Sequence, residues 1–189
     1  MFIQTEATPN PATLKFIPGK TVLPSGTLEF RDPEAAGASP LATRLFDIEG
    51  VTGVFLGHDF ISVTKHGEGA WQHLKPAILG AIMEHFLSGA PIVGSMPTGA
   101  ATATGEEDFA EGDQEIVDTI KDLIETRVRP AVAQDGGDIV FRSFRDGIVS
   151  LHMRGACAGC PSSTATLRHG IENLLKHFVP EVTEVRAVS

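Results

Sequence analysis

Residues 93–113 read VGSMPTGAATATGEEDFAEGD. The stretch holds five acids and no base, is rich in Gly, Ala, Thr and Pro, and keeps no apolar period. That is the composition of a flexible linker, not of a packed element. A 189-residue chain cut there cannot build one large core. It has to build two small ones, over residues 1–92 and 114–189, each with room for about one sheet and a pair of helices.

Local patterns fill in both halves. In the first, Phe2–Thr5 and Leu14–Ile17 are strand-like runs parted by TPNP. Ser39-Pro40-Leu41 is an N-cap with proline at the first helical position, and Leu41, Leu45 and Ile48 keep helical spacing to Gly50. Val51–Leu56 and Phe60–Thr64 flank Gly57-His58-Asp59 as a hairpin. Trp71, Leu74, Ile78, Ile82 and Phe86 then mark the buried face of a helix. In the second half, Ile116, Ile120, Leu123, Ile124 and Val128 make a helical stripe that Pro130 is expected to end. Asp135-Gly136-Gly137-Asp138 is a turn whose role is expected to be structural. Strands are expected at Ile139–Phe144, Ile148–Met153 and Val182–Val188, with a helix carrying Leu167, Ile171, Leu174, Leu175 and Phe178. The fold class is α+β: two small α/β-sandwich domains, the C-terminal one α-β-β-α-β with a three-stranded sheet and two helices.

Charge narrows the function. The net charge is −9; residues 1–92 carry six bases and nine acids, and residues 114–189 carry nine bases and ten acids. No basic stripe interleaved with aromatics is present, which argues against a nucleic-acid partner. No run of about eighteen apolar residues argues for a membrane span. The start, MFIQTEATPN, resembles neither a signal peptide nor an Arg-rich transit peptide, so the expected location is a bacterial cytoplasm rather than a mitochondrial matrix. The seven histidines are scattered, and His58, His66, His73 and His85 are expected on the surface.

The chemistry lies in RGACAGCPSSTATLRHG, residues 154–170, which holds both cysteines of the chain, Cys157 and Cys160. The pair sits between the end of a strand and the start of a helix, with Gly155 and Gly159 free to bend the backbone and Pro161 suited to a first helical turn. The helix N-terminus favours thiolate, so the cysteines are expected at an exposed loop tip with a lowered pKa. Two buried structural cysteines would be the plain alternative. Three active readings use the same pair. A dithiol–disulfide oxidoreductase would place it likewise, but no second βαβ unit is evident. A zinc-binding interaction module would need two further ligands, for which His152 and His169 are the near candidates. In the third reading two chains give two sulfurs each and together hold a [4Fe–4S] or [2Fe–2S] centre.

The stretch DGGDIVF…LHMRGACAGCPSSTATLRHGIENLL resembles the NifU-like C-terminal (Nfu) domain, whose hallmark is a C-x-x-C-P-S-S loop after a DGGD turn. MFIQTEATPNPATLKFIPG and RLFDIEGVTGVFLGHDFISVTK are similar to the Nfu N-terminal domain. The resemblance implies a non-enzymatic iron–sulfur cluster scaffold or carrier. Its ligands would be Cys157 and Cys160, holding a [4Fe–4S] cluster shared between two subunits. It further implies a homodimer when loaded, upstream cluster-assembly proteins as donors, and apo iron–sulfur proteins as clients.

Overall fold

The computed structural model describes residues 1–94, 108–158 and 161–188, with the backbone alone for 161–163. Cys160 and most of the stretch read as a linker lie outside the described residues. The chain divides into two compact units, Met1–Ala103 and Thr104–Ser189.

The first unit has strands β1 (Gln4–Ala7), β2 (Thr13–Ile17), β3 (Leu28–Phe30), β4 (Val51–Leu56) and β5 (Ile61–Lys65), with helices α1 (Pro40–Phe46) and α2 (Trp71–Ser88). The sheet order is β1-β2-β5-β4-β3, antiparallel throughout. Ser39 caps α1 as its sequence foretells: its Oγ accepts the Ala42 N–H at 3.1 Å, and Pro40 follows at the first turn. Leu41 and Leu45 from α1 meet Ile78 and Ile82 from α2 and Phe16, Leu56 and Ile61 from the sheet in one buried cluster. Strand β3 has no counterpart in the sequence reading. It is three residues long and follows a Pro/Ser/Gly run, so it shows no alternation of its own and is defined only by pairing with β4.

His85, expected on the surface, is fully buried on the core face of α2. Its Nε2 lies 3.1 Å from the Pro91 carbonyl oxygen, just past the helix end. Its Nδ1 is buried with no hydrogen-bond partner. Burial, with a smaller contribution from Arg44, holds the imidazole below its usual pKa and therefore neutral.

The second unit runs β6 (Asp108–Phe109), α3 (Gln114–Leu123), a π-helical turn (Ile124–Val128), α4 (Arg129–Gln134), β7 (Gly137–Arg145), β8 (Ile148–Gly155), α5 (Pro161–Phe178) and β9 (Glu184–Val188). The three expected strands are present, and the short β6 adds a fourth at the edge in the order β6-β7-β8-β9. Its two residues come from the stretch read as linker. They pair in parallel with Ser143 and Phe144, and Asp108 forms an ion pair with Arg145. Strands β7 and β8 form a hairpin closed at Asp146-Gly147, both at positive φ, as a two-residue primed turn requires. Strands β8 and β9 are parallel, so a crossover has to join them, and α5 supplies it.

Pro130 does not end the helix. A proline lacks the N–H for the i−4 bond and crowds that carbonyl. Here the ladder has already opened: the Arg129 N–H donates to Ile124 O, five residues back, across the π-helical turn. Pro130 then falls in the first turn of α4, where its missing donor costs little. The extra turn carries the chain to Asp135 and sets the start of β7.

Candidate functional site

The site begins where α4 stops. Gly136 takes a positive φ of 78°, a conformation that needs no Cβ, and turns the chain from α4 into β7. Gly137 is the first residue of β7 and pairs with Gly155, the last of β8. Gly155 is also left-handed, φ 64°, and folds the chain back over the start of β7. The Ala156 N–H donates to Gly136 O at 3.2 Å, and the Ala158 N–H to Gly155 O at 3.1 Å. This places Cys157 directly on Gly137. A Cβ built on Gly137 would lie 2.6 Å from Cys157 Sγ and 2.7 Å from Arg154 O, closer than real Cβ contacts come. The turn therefore needs its second glycine for space rather than for flexibility.

Cys157 is a free thiol, only 5% exposed, and part of the core of its unit. The expectation of an exposed loop tip is corrected at this residue. Burial pushes its thiol up to about 12, and the carboxylates of Asp135 and Asp138 add to the rise. The expected lowering by the helix end is reversed, because removing a thiolate from water outweighs a partial charge at a helix terminus. Its backbone is tied to α5 instead: Thr164 Oγ1 donates to Cys157 O at 2.9 Å.

The turn that carries Gly137 is pinned from below. Asp138 is 3% exposed. The Arg129 guanidinium donates to both of its carboxylate oxygens, at 2.8 and 3.0 Å, and Asp138 Oδ1 also accepts the Ile139 N–H at 2.8 Å. A second carboxylate, Glu125, takes the remaining edge of Arg129 at 2.6 Å. This bidentate pair with a fixed fork is the strong form of an ion pair. Sequence reading passed over Arg129 and Thr164, and gave Asp138 only a structural place in a turn, because the partners lie seven to nine residues away across a turn. The one available signal was an aspartate opening an apolar strand.

Of the zinc-ligand candidates, His152 is half-buried on β8 and His169 is exposed on α5. Among the described residues no three His, Cys, Asp or Glu side chains gather closely enough to hold a metal ion.

Comparison with known proteins agrees with this division of the chain. The family pattern described as "Scaffold protein Nfu/NifU N terminal" matches residues 3–89, and that of the "NifU-like domain" matches residues 120–186. The Homo sapiens protein named "NFU1 iron-sulfur cluster scaffold homolog, mitochondrial" is 51% identical over all of this chain and 72% of its own length. The Arabidopsis thaliana "NifU-like protein 4, mitochondrial" is 49% identical over 98% of this chain and 65% of its own. A solution NMR structure of a NifU-like protein from Saccharomyces cerevisiae overlays with a TM-score of 0.46 at 24% identity, covering 51% of this chain and 87% of that one. The expectation of a bacterial cytoplasm is overturned by these names, since relatives from human, fly and plant are all called mitochondrial. The relatives are longer than this chain, so the look of its first residues was no guide to compartment. Two matched domains in tandem, and half the residues shared with a curated relative along the whole chain, place this chain in the Nfu family of NifU-like proteins.

Proposed function

We propose that this chain carries iron–sulfur clusters to other proteins within mitochondria, and that Cys157 and Cys160 are the ligands. The observation that carries the reading is the place of Cys157, at a strand–helix junction inside the NifU-like domain. The chain has two cysteines, and a cluster held by thiolates takes four. Two copies, each giving Cys157 and Cys160, complete the set, so a [4Fe–4S] cluster is cargo shared between subunits and the loaded form is a homodimer.

Delivery is a ligand exchange. A client thiolate forms an Fe–S bond as the bond from Cys157 or Cys160 breaks, the iron keeps its oxidation state, and no electron is transferred. The chain contributes position and accessibility to this exchange, not catalysis. A dithiol–disulfide oxidoreductase using the same pair would turn over in a dithiol-reduction assay, and a carrier should show no turnover.

Anaerobic reconstitution with iron and sulfide tests the reading. About four irons and four sulfides per two chains, in a species of twice the monomer mass, are expected. Cys157→Ala or Cys160→Ala should each abolish cargo binding and leave the circular dichroism unchanged. A full cluster retained by either variant would overturn the ligand assignment.

A further inference from the structure

We propose that Gly137 is a positioning residue for cargo binding: it floors a socket that holds the Cys157 sulfur inside the cargo-free domain, and only chains whose sulfur has left that socket take up a cluster. The inference rests on Cys157 being a ligand and adds how its availability is set.

Three observations build the socket. Its floor is an absence, since a Cβ on Gly137 would stand 2.6 Å from Sγ. Its position is fixed by the turn at Gly136 and by the bidentate Arg129–Asp138 pair directly after the floor residue. Its mouth is held by two hydrogen bonds, from the Ala156 N–H to Gly136 O and from the Thr164 hydroxyl to Cys157 O. Cys157 is 5% exposed, and a side chain so buried cannot reach an iron shared with a second chain, so ligation requires it to come out. The left-handed Gly155, immediately before Ala156 and Cys157, is the natural hinge.

A seated sulfur weakens cargo binding by the fraction of chains in which it is out, because only that fraction is competent. It also assists hand-over. When a client thiolate displaces Cys157, the sulfur can return to its buried socket instead of waiting beside the iron to rebind. The sulfur binds iron as thiolate, so one proton passes to solvent on loading and one is regained on return.

Alkylation kinetics of the reduced, metal-free full chain test this, with positions 157 and 160 resolved by tandem mass spectrometry and iodoacetamide as the probe. Cys157 is expected to react on the order of a hundredfold more slowly than in the urea-unfolded chain, with the protection set by local opening. Gly137→Ala, if folded, should remove most of that protection. Where Gly137→Ala folds poorly, adding Cys157→Ala should recover part of the lost melting temperature, because it removes the sulfur from the clash. Cys157 reacting in the native chain as fast as in the unfolded one would overturn the proposal. So would full protection in a folded Gly137→Ala, or no recovery in the double variant. These readouts need no cluster. If Cys157→Ala still bound a full cluster the ligand assignment would fail with the socket intact, and if Cys157 proved exposed the socket would fail with the ligand assignment intact.

Discussion

Of the titratable side chains buried in the two units, His85 and Cys157 are buried for different ends. In the first unit His85 lies on the core face of α2 and is closed over by the chain just past the helix, where Pro91 O meets its Nε2. In the second, Cys157 lies at the edge of the core, under a turn, against a residue with no side chain. His85 is buried on α2 together with Ile78 and Ile82. Cys157 is covered by a fold-back hinged on two left-handed glycines. The first arrangement is a scaffold detail; the second, as we propose, is a group kept in store. A buried group is available for chemistry only if what covers it can move without undoing the core.

Core truncation should break that comparison most severely. Leu45→Ala in the first unit and Leu151→Ala in the second each remove a fully buried side chain and should cost about 2–5 kcal/mol. Hydrogen exchange reads the loss unit by unit. If the cover over Cys157 belongs to its own unit, Leu151→Ala should expose Cys157 to alkylation and Leu45→Ala should leave its rate unchanged. An equal rise from both would mean that the cover over Cys157 answers to the whole chain.

The next effect concerns the pin beneath the turn. Arg129→Ala leaves the Asp138 carboxylate buried without its bidentate partner and should cost about 3 kcal/mol, measured by urea denaturation. The circular dichroism of the native variant should stay the same while its midpoint falls. A loss near zero would show that Glu125 and Arg129 form a solvated surface pair and that Asp138 does not depend on Arg129.

Legibility followed the range of the forces. The helices over Trp71–Ser88 and Pro161–Phe178 and the hairpin at Asp146-Gly147 are written in local periods and turn residues, and they stand where the sequence puts them. The strand–helix junction that holds Cys157 was equally legible. The rest depends on residues meeting across a turn or a sheet. β6 exists because Phe144 and Arg145 offer it an edge and a charge. The helix passes Pro130 because a wider turn precedes it. The spacing of Cys157 is visible in the sequence, but its burial is decided by the missing Cβ twenty residues earlier.

His85 supplies a prediction with a definite sign. Its folded pKa lies below its unfolded value of about 6.5. Above that value both states are neutral and the group is indifferent to pH. As the pH falls through it, the unfolded chain takes up a proton that the folded one resists, so stability drops until the folded pKa is reached. The slope for one proton is bounded at about 1.4 kcal/mol per pH unit. Melting curves of wild type and His85→Gln between pH 8 and 5 check this: the wild type should lose more than the variant below pH 6.5. Parallel curves would mean that His85 is solvated, and the contrast between a sealed and a covered group would go.

The smallest expected effect is at Ser39, which joins the same sealed region from the other side. Its Oγ accepts the Ala42 N–H, and the hydroxyl donates to Ile92 O, so one side chain caps α1 and ties down the segment after α2. An N-cap lost to alanine costs about 1 kcal/mol. The hydroxyl here makes a second bond, so Ser39→Ala should lie at or above that figure, while Ser39→Gly, which suits the cap position but cannot tie Ile92, should recover only part of it. If the pH dependence assigned to His85 also weakens in Ser39→Ala, the tie to Ile92 is part of what closes the chain over the imidazole. If stability falls with the pH dependence unchanged, His85 is sealed by α2 and the core alone, and the N-cap of α1 is a separate, purely local contribution.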